Sequence, residues 1–403
     1  MTGREDKEQR ALRAILSDRS VAAIIGLALF LNLGTGIVLP ILPLYARSFA
    51  VDYGQAGLLV GAYYFARLLS DLTAAPIVNR LGVRRSAVAG LLLLGIGAAL
   101  TGLSHTFGVA LICWLAAGGG AGTVFAAMFN ALLRGVAKDR MARALSLFYG
   151  AFNGGVVAGG FLGGVVASRL GLAAPLFCLA AIAAGLALVM LRLLTEPATV
   201  AAPSPRKASV TKLVRIPGFA AAVVAVLANL WMFGAVFNTL VPLFARDQLQ
   251  LSTVGIGVLY AVSLAAEFLV YYPAGTWADT RGRRAVLIPS FAFLAVATIS
   301  LGWAATLPIF ALLMAILGVA SGFAGVPPAA MLADVVPAQH SARGVAAFRF
   351  GADLGYTLGP LVAGVTAATF GFKAAFAVAG IPCLLALAVV TLGRETLALP
   401  RSA

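Results

Sequence analysis

Apolar and polar positions alternate along this chain on one long wavelength. Twelve mostly apolar runs stand out, at about 21–46, 55–78, 86–104, 107–133, 144–168, 172–194, 218–244, 254–278, 285–304, 308–333, 344–370 and 373–392. Each is close to the ~20 residues that an α-helix needs to cross a bilayer. The joints between runs are short, except at 195–215. That stretch holds Glu196, Pro197, Pro203, Pro205, Arg206, Lys207, Lys212 and Arg215. Proline and charge without periodicity predict a flexible linker. The pattern predicts an all-α membrane protein with twelve transmembrane helices in two pseudo-symmetric six-helix bundles, 21–194 and 218–392. A polar segment 1–20 precedes them, the linker 195–217 joins them and a tail 393–403 follows.

The two sets of six repeat each other at a constant offset of 200 residues. Residues 75–85 read A-P-I-V-N-R-L-G-V-R-R, and 275–284 read G-T-W-A-D-T-R-G-R-R. Asn79 thus falls on Asp279, Gly82 on Gly282 and Arg84 on Arg284. Residues 155–164 read G-V-V-A-G-G-F-L-G-G, and 355–364 read G-Y-T-L-G-P-L-V-A-G. Arg143 falls on Arg343. Self-similarity at a fixed period marks a duplicated architecture. In a strongly apolar chain it marks a transporter built from two parallel repeats.

Composition names the solvent. Of the 403 residues 61% are hydrophobic and 11% charged, and the mean hydropathy is +1.00. A soluble domain of this length could not hide that much apolar surface, so the solvent is lipid. The net charge of +15 would suggest a nucleic-acid partner if it were spread evenly. It is not: one set of loops carries only Arg47, Arg169, Arg246 and Lys373. Apart from Arg67 and Arg349, which lie inside runs, the rest of the 29 lysines and arginines fall on the other side. By the positive-inside rule both termini are cytoplasmic, in a bacterial-type inner or plasma membrane. The charge is therefore a topology signal and excludes nucleic acid. The first apolar run is too long for a signal-peptide core and is taken as the first span. Cys113, Cys178 and Cys383 lie inside apolar runs and predict inert packing. His105 and His340 lack companions, and no phosphate-cradling loop exists, so no metal, cofactor or ATP is expected.

The duplicated words resemble the major facilitator superfamily, and the resemblance covers essentially the whole chain. The loop after the second span of each half is similar to that family's gating signature, G-x-L-A-D-R-x-G-R-R. The second copy keeps Gly275, Asp279, Gly282, Arg283 and Arg284, with Thr280 where arginine is usual. The first keeps Arg80, Gly82 and Arg84, but has Asn79 for the acid and Ala75 for the first glycine. The resemblance implies a cytoplasmic latch, in which the acid pairs with nearby arginines. An ordinary positive-inside loop is the competing reading. Arg134 and Arg143 flank one neighbouring loop, Asp334 and Arg343 its counterpart; they are latch candidates, with solvated surface charge as the alternative. The glycines Gly155, Gly159, Gly163 and Gly164 resemble the antiporter motif of drug-efflux groups, and Gly355, Gly359 and Pro360 its second copy. Generic close packing competes with that assignment. Trp114 stands where the family usually has an arginine linked with proton coupling.

Ionisable residues at membrane depth are functional candidates by default. Arg67 and Asp71 are four apart on the second span, and Arg349 and Asp353 four apart on the eleventh, so each pair shares a helix face. They form either one interhelical gate network or two self-contained pairs. Glu267 lies 12 residues before Asp279, about 18 Å along a helix, which is near the bilayer midplane. Burial disfavours the ionised form of a carboxyl, so Glu267 is the first candidate for proton coupling and Asp353 the second. Permanent pairing with Arg67 or Arg349, or capture by tyrosine hydroxyls, is the alternative for Glu267. Tyr63, Phe125, Phe152, Trp231, Phe237, Asn238 and Tyr260 are candidates for a substrate pocket. Together these features predict a monomeric secondary transporter without enzymatic activity. Its partners are protons, the bilayer and a small molecule exported by alternating access. An importer or facilitator of a polar metabolite is the alternative, and a non-transporting receptor or structural protein a more distant one.

Overall fold

The computed structural model describes residues 19–136, 141–193, 216, 218–336 and 341–397, and every described secondary-structure element is helical. The first half contains α1 (Arg19–Val38), α2 (Leu42–Arg47), α3 (Tyr53–Leu81), α4 (Val83–Gly102), α5 (Phe107–Gly135), α6 (Met141–Leu170) and α7 (Ala174–Leu193). The second contains α8 (Phe219–Met232), a π-helical segment Phe233–Leu240, α9 (Val241–Asp247), α10 (Thr253–Arg281), α11 (Arg283–Leu301), α12 (Leu307–Gly325), α13 (Pro327–Val335) and α14 (Ser341–Leu392). Ten helical stretches among the described residues are long and apolar enough to cross a membrane by length and composition. The segment 1–18 and, apart from Ile216, the expected linker 195–217 lie outside the described residues.

The apolar pattern marks lengths but not breaks. The run 21–46 is two helices, because Pro40 disfavours α geometry at the residue before it. The run 308–333 is interrupted ahead of Pro327 and Pro328. Inside α14, Gly371 at φ 79° and ψ 174° separates two helical stretches.

Two compact units emerge from the packing. One comprises Met1–Ile41 with Ala66–Pro203, the other Leu42–Phe65 with Ser204–Ala403, so the boundary falls inside α3. In the first unit α6 lies against α1 along a glycine seam. A Cβ on Gly155, Gly159 or Gly163 would stand 2.3, 2.3 and 2.1 Å from the carbonyl oxygens of Leu29, Leu33 and Ile37. In the second unit α14 meets α8 in the same way. A Cβ on Gly355 would stand 2.5 Å from the Leu227 oxygen, and one on Gly359 2.8 Å from that of Trp231. Small residues let helix backbones approach this closely. The start of α3 packs on α14 likewise, where a Cβ on Gly57 would lie 2.2 Å from the Pro360 oxygen.

The duplication is also written in backbone torsions. Gly82 (φ 83°) and Gly282 (φ 101°) turn the chain between consecutive helices at matched positions, and Gly171 (φ 94°) matches Gly371 (φ 79°). Glycine adopts such angles without steric cost. Ala50 (φ 58°) and Gln250 (φ 52°) form a third matched pair without glycine. The next helices start alike: Asp52 Oδ1 accepts from the Gln55 N–H at 2.7 Å, and Ser252 Oγ from the Gly255 N–H at 3.2 Å.

Candidate functional site

The π-helical segment builds the centre of the second unit. Its wide turn is held by Thr239, whose hydroxyl donates to the Gly234 carbonyl, five residues back, at 2.8 Å. Gly234 leaves room for α14: a Cβ there would stand 2.8 Å from the Pro360 ring. Such local rewinding is frequent at functional sites. Here it carries Asn238, which is buried. Tyr260 of α10 donates to Asn238 Oδ1 at 2.9 Å, and Asn238 Nδ2 donates to the Tyr64 hydroxyl at 3.2 Å. Tyr64 of α3 stacks on Tyr356 of α14 with ring centres 4.4 Å apart and planes 9° from parallel. Phe233 lies 6.2 Å from Tyr356 and 5.1 Å from Phe237, and Phe237 meets Tyr260 edge to face. One amide thus sits in an aromatic box drawn from four segments.

The helix that carries Tyr260 also carries a buried carboxyl. Glu267 of α10 is 3% exposed, and its Oε1 accepts from Tyr271 at 2.8 Å. Ser321 of α12 lies beside the carboxyl, but its hydroxyl donates to Asn229 Oδ1 at 3.3 Å. Glu267 Oε2 is buried with no hydrogen-bond partner meeting normal geometry among the described residues. No described cation forms an ion pair with Glu267. A charged side chain in that position would be costly. Glu267 lies seven residues after Tyr260 on α10, about two helical turns, so carboxyl and box share one face of that helix.

The other sequence candidates divide between the units. In the first, the Arg67 guanidinium stands 5.5 Å above the ring of Phe125. Phe125 clusters with Phe129, Phe148 and Phe152. In the second, Tyr63 packs edge-on against Tyr64, and Trp231 is buried beside the glycine seam of α14. Also there, Asp353 is buried and Arg349 half-buried on α14. Gly164 belongs to α6. The side chains of Asp71, Asn79, Arg134, Arg143 and Arg343 lie outside the described residues.

The second copy of the repeated loop word is a cluster of ion pairs and hydrogen bonds. Arg283 pairs with Asp279 one turn away and with Asp334 of α13 through Nε at 3.2 Å. Arg284 Nε donates to the Val390 carbonyl at 2.9 Å. Glu395, in the expected tail, accepts from the backbone N–H groups of Arg283 and Arg284, each at 3.0 Å. In the first copy Arg80 is exposed, and Arg84 donates to the Leu191 carbonyl. That partner matches Thr391, which accepts from Arg284 in the second copy.

Sequence reasoning did not single out Tyr356, Ser321, Glu395 or the π turn. Tyr356 was visible only as the residue after Gly355. Glu395 is the one acid of the tail, which was a usable signal.

A profile of the family described as Major Facilitator Superfamily matches residues 24–269 and 230–402. The chain is 24% identical over 135 residues to "Quinolone resistance protein NorA" of Staphylococcus aureus (strain MRSA252), which covers 34% of this chain and 35% of NorA. It thus spans about a third of that relative's length. It is 25% identical over 269 residues to "Uncharacterized MFS-type transporter YcaD" of Escherichia coli O17:K52:H18 (strain UMN026 / ExPEC), covering 67% of this chain and 69% of YcaD. Its fold is like that of a bacterial homolog to the human lysosomal transporter Spinster, with TM-score 0.78 and 14% identity over 92% of this chain and 95% of that one. The signature words, the matched torsions and a profile that runs along nearly the whole sequence lead to one conclusion: the chain belongs to the major facilitator superfamily.

Proposed function

We propose that this chain is a secondary transporter that exports a small, partly apolar organic molecule in exchange for protons. The reading includes twelve spans in two six-helix bundles, termini in the cytoplasm, and alternating access by a monomer. The observation that carries it is a cation-free buried carboxyl, Glu267, on the same helix as Tyr260 of an aromatic box centred on one amide, Asn238, about two turns away. Tyrosine and phenylalanine faces suit a flat apolar body, while the amide and hydroxyls select its orientation. A proton on Glu267 Oε2 neutralises the group while Oε1 still accepts from Tyr271. Carboxyl and box are both carried by α10, and in this reading loading one changes the other's surroundings. The name of NorA, which refers to quinolone resistance, supports the export direction.

Flux in proteoliposomes tests this reading. An imposed pH gradient should drive accumulation of an aromatic drug-like compound, and collapse of the gradient should stop it. Accumulation unaffected by the gradient would remove proton exchange. Orientation is tested separately, since a cysteine at Ser204 should react only with reagents that reach the cytoplasm.

A further inference from the structure

The second unit carries a cleft of about 550 Å³ among α10, α11 and α12, away from the aromatic box. Its walls are almost wholly apolar and include Val286, Pro289, Phe293, Ile316 and Phe323. One end is different. Trp277 leans on Phe323, with ring centres 5.3 Å apart, and the Arg281 guanidinium sits 4.7 Å above the Trp277 ring. Arg281 is exposed. Its neighbours in the signature are committed, Arg283 to Asp279 and Asp334, and Arg284 to backbone carbonyls. No carboxylate among the described residues pairs with Arg281.

The internal repeat supplies a control within the same molecule. The positions matching Trp277, Arg281 and Pro289 are Ile77, Leu81 and Ala89. A merely lipid-facing surface needs nothing more than those residues. The second half instead places an aromatic ring and a cation at the mouth of an apolar cleft, on the helix end that leads into the signature loop. An apolar channel with one cation at its rim matches an amphiphile with an anionic head. The stacking on Trp277 holds the guanidinium at that rim.

We infer that this cleft binds an anionic phospholipid, with an acyl chain along Val286, Phe293 and Ile316 and the phosphate on Arg281. The inference rests on the membrane-embedded reading but not on transport or its direction. It is tested on the full chain in nanodiscs by quenching of tryptophan fluorescence with brominated lipids, which report contact with the acyl chain. The Trp277 contribution is isolated by subtracting the Trp277→Phe variant, since Trp303 is exposed as well. Brominated phosphatidylglycerol should quench Trp277 at about fivefold lower mole fraction than brominated phosphatidylcholine, the preference expected from one arginine near an anionic head. Arg281→Gln should make the two curves coincide, and Arg281→Lys should keep them apart. Coincident curves in the parent protein, or a preference that survives Arg281→Gln, would overturn the assignment. Both leaflets of the disc carry the same lipid and no flux is measured, so failure here is distinct from failure of the transport reading.

Discussion

Tyr260 donates its hydroxyl to Oδ1 of Asn238 over 2.9 Å, which turns the amide nitrogen toward Tyr64. The chain of three groups is buried, so removing its middle leaves the Tyr260 hydroxyl without its acceptor. Asn238→Leu should cost about 1–3 kcal/mol of stability and weaken binding of the transported compound about tenfold or more. Tyr260→Phe removes one bond only and should cost about 1 kcal/mol. Thermal unfolding with and without compound separates the two effects. Unchanged affinity in both variants would take the box out of the binding site.

Glu267→Gln keeps the size of the side chain and its acceptor for Tyr271 but cannot exchange a proton. Uphill, gradient-driven flux should disappear while exchange of labelled for unlabelled compound persists. If the variant still concentrates compound as the parent does, the proton is carried elsewhere, with Asp353 the next residue to test.

Arg283 is shielded, with its side chain 8% exposed, while its partners differ: Asp334 is 22% exposed and Asp279 69%. Solvent screens the Asp279 pair, so Asp279→Asn should cost about 1 kcal/mol or less. Asp334→Asn removes the more shielded partner and should cost at least about twice that. Equal losses in chemical denaturation would contradict the burial argument.

The glycine seam between α6 and α1 separates packing from transport chemistry. Gly163→Ala would press a Cβ to 2.1 Å from the Ile37 oxygen, whereas Gly154→Ala and Gly185→Ala meet nothing within 4 Å. The first should reduce folded yield or melting temperature sharply, while the other two should stay within about 0.5 kcal/mol of the parent. A fully stable Gly163→Ala protein with altered coupling would favour the antiporter-motif reading over close packing.

Much of this was legible in the chain. Apolar run length is a local quantity that a bilayer imposes directly, and the repeat made the signature loops visible twice. Glu267 stood out because a lone acid in an apolar run is conspicuous. What escaped depends on contacts distant in sequence. Tyr356 matters through its stack on Tyr64, and Glu395 through two N–H groups more than 100 residues earlier. The π turn arises where Gly234 admits the Pro360 ring, a fit that no periodicity within residues 233–240 announces. The glycine words left an antiporter motif and close packing as competing readings, and which helix they admit, α1 for one and α8 for the other, is a property of the folded unit.

Ala50 and Gln250 have nothing in common as side chains, yet the main chain passes through the left-handed region at both. An L-residue held there carries roughly 1–2 kcal/mol of strain that glycine would not. What the two halves inherited in common is therefore a course for the backbone, preserved even where the residue best suited to it was not. Each half can then serve as a ruler for the other. Where the helices run alike and the side chains part company, as at Leu81 and Arg281 or Ile77 and Trp277, ancestry explains the path and selection has to explain the difference.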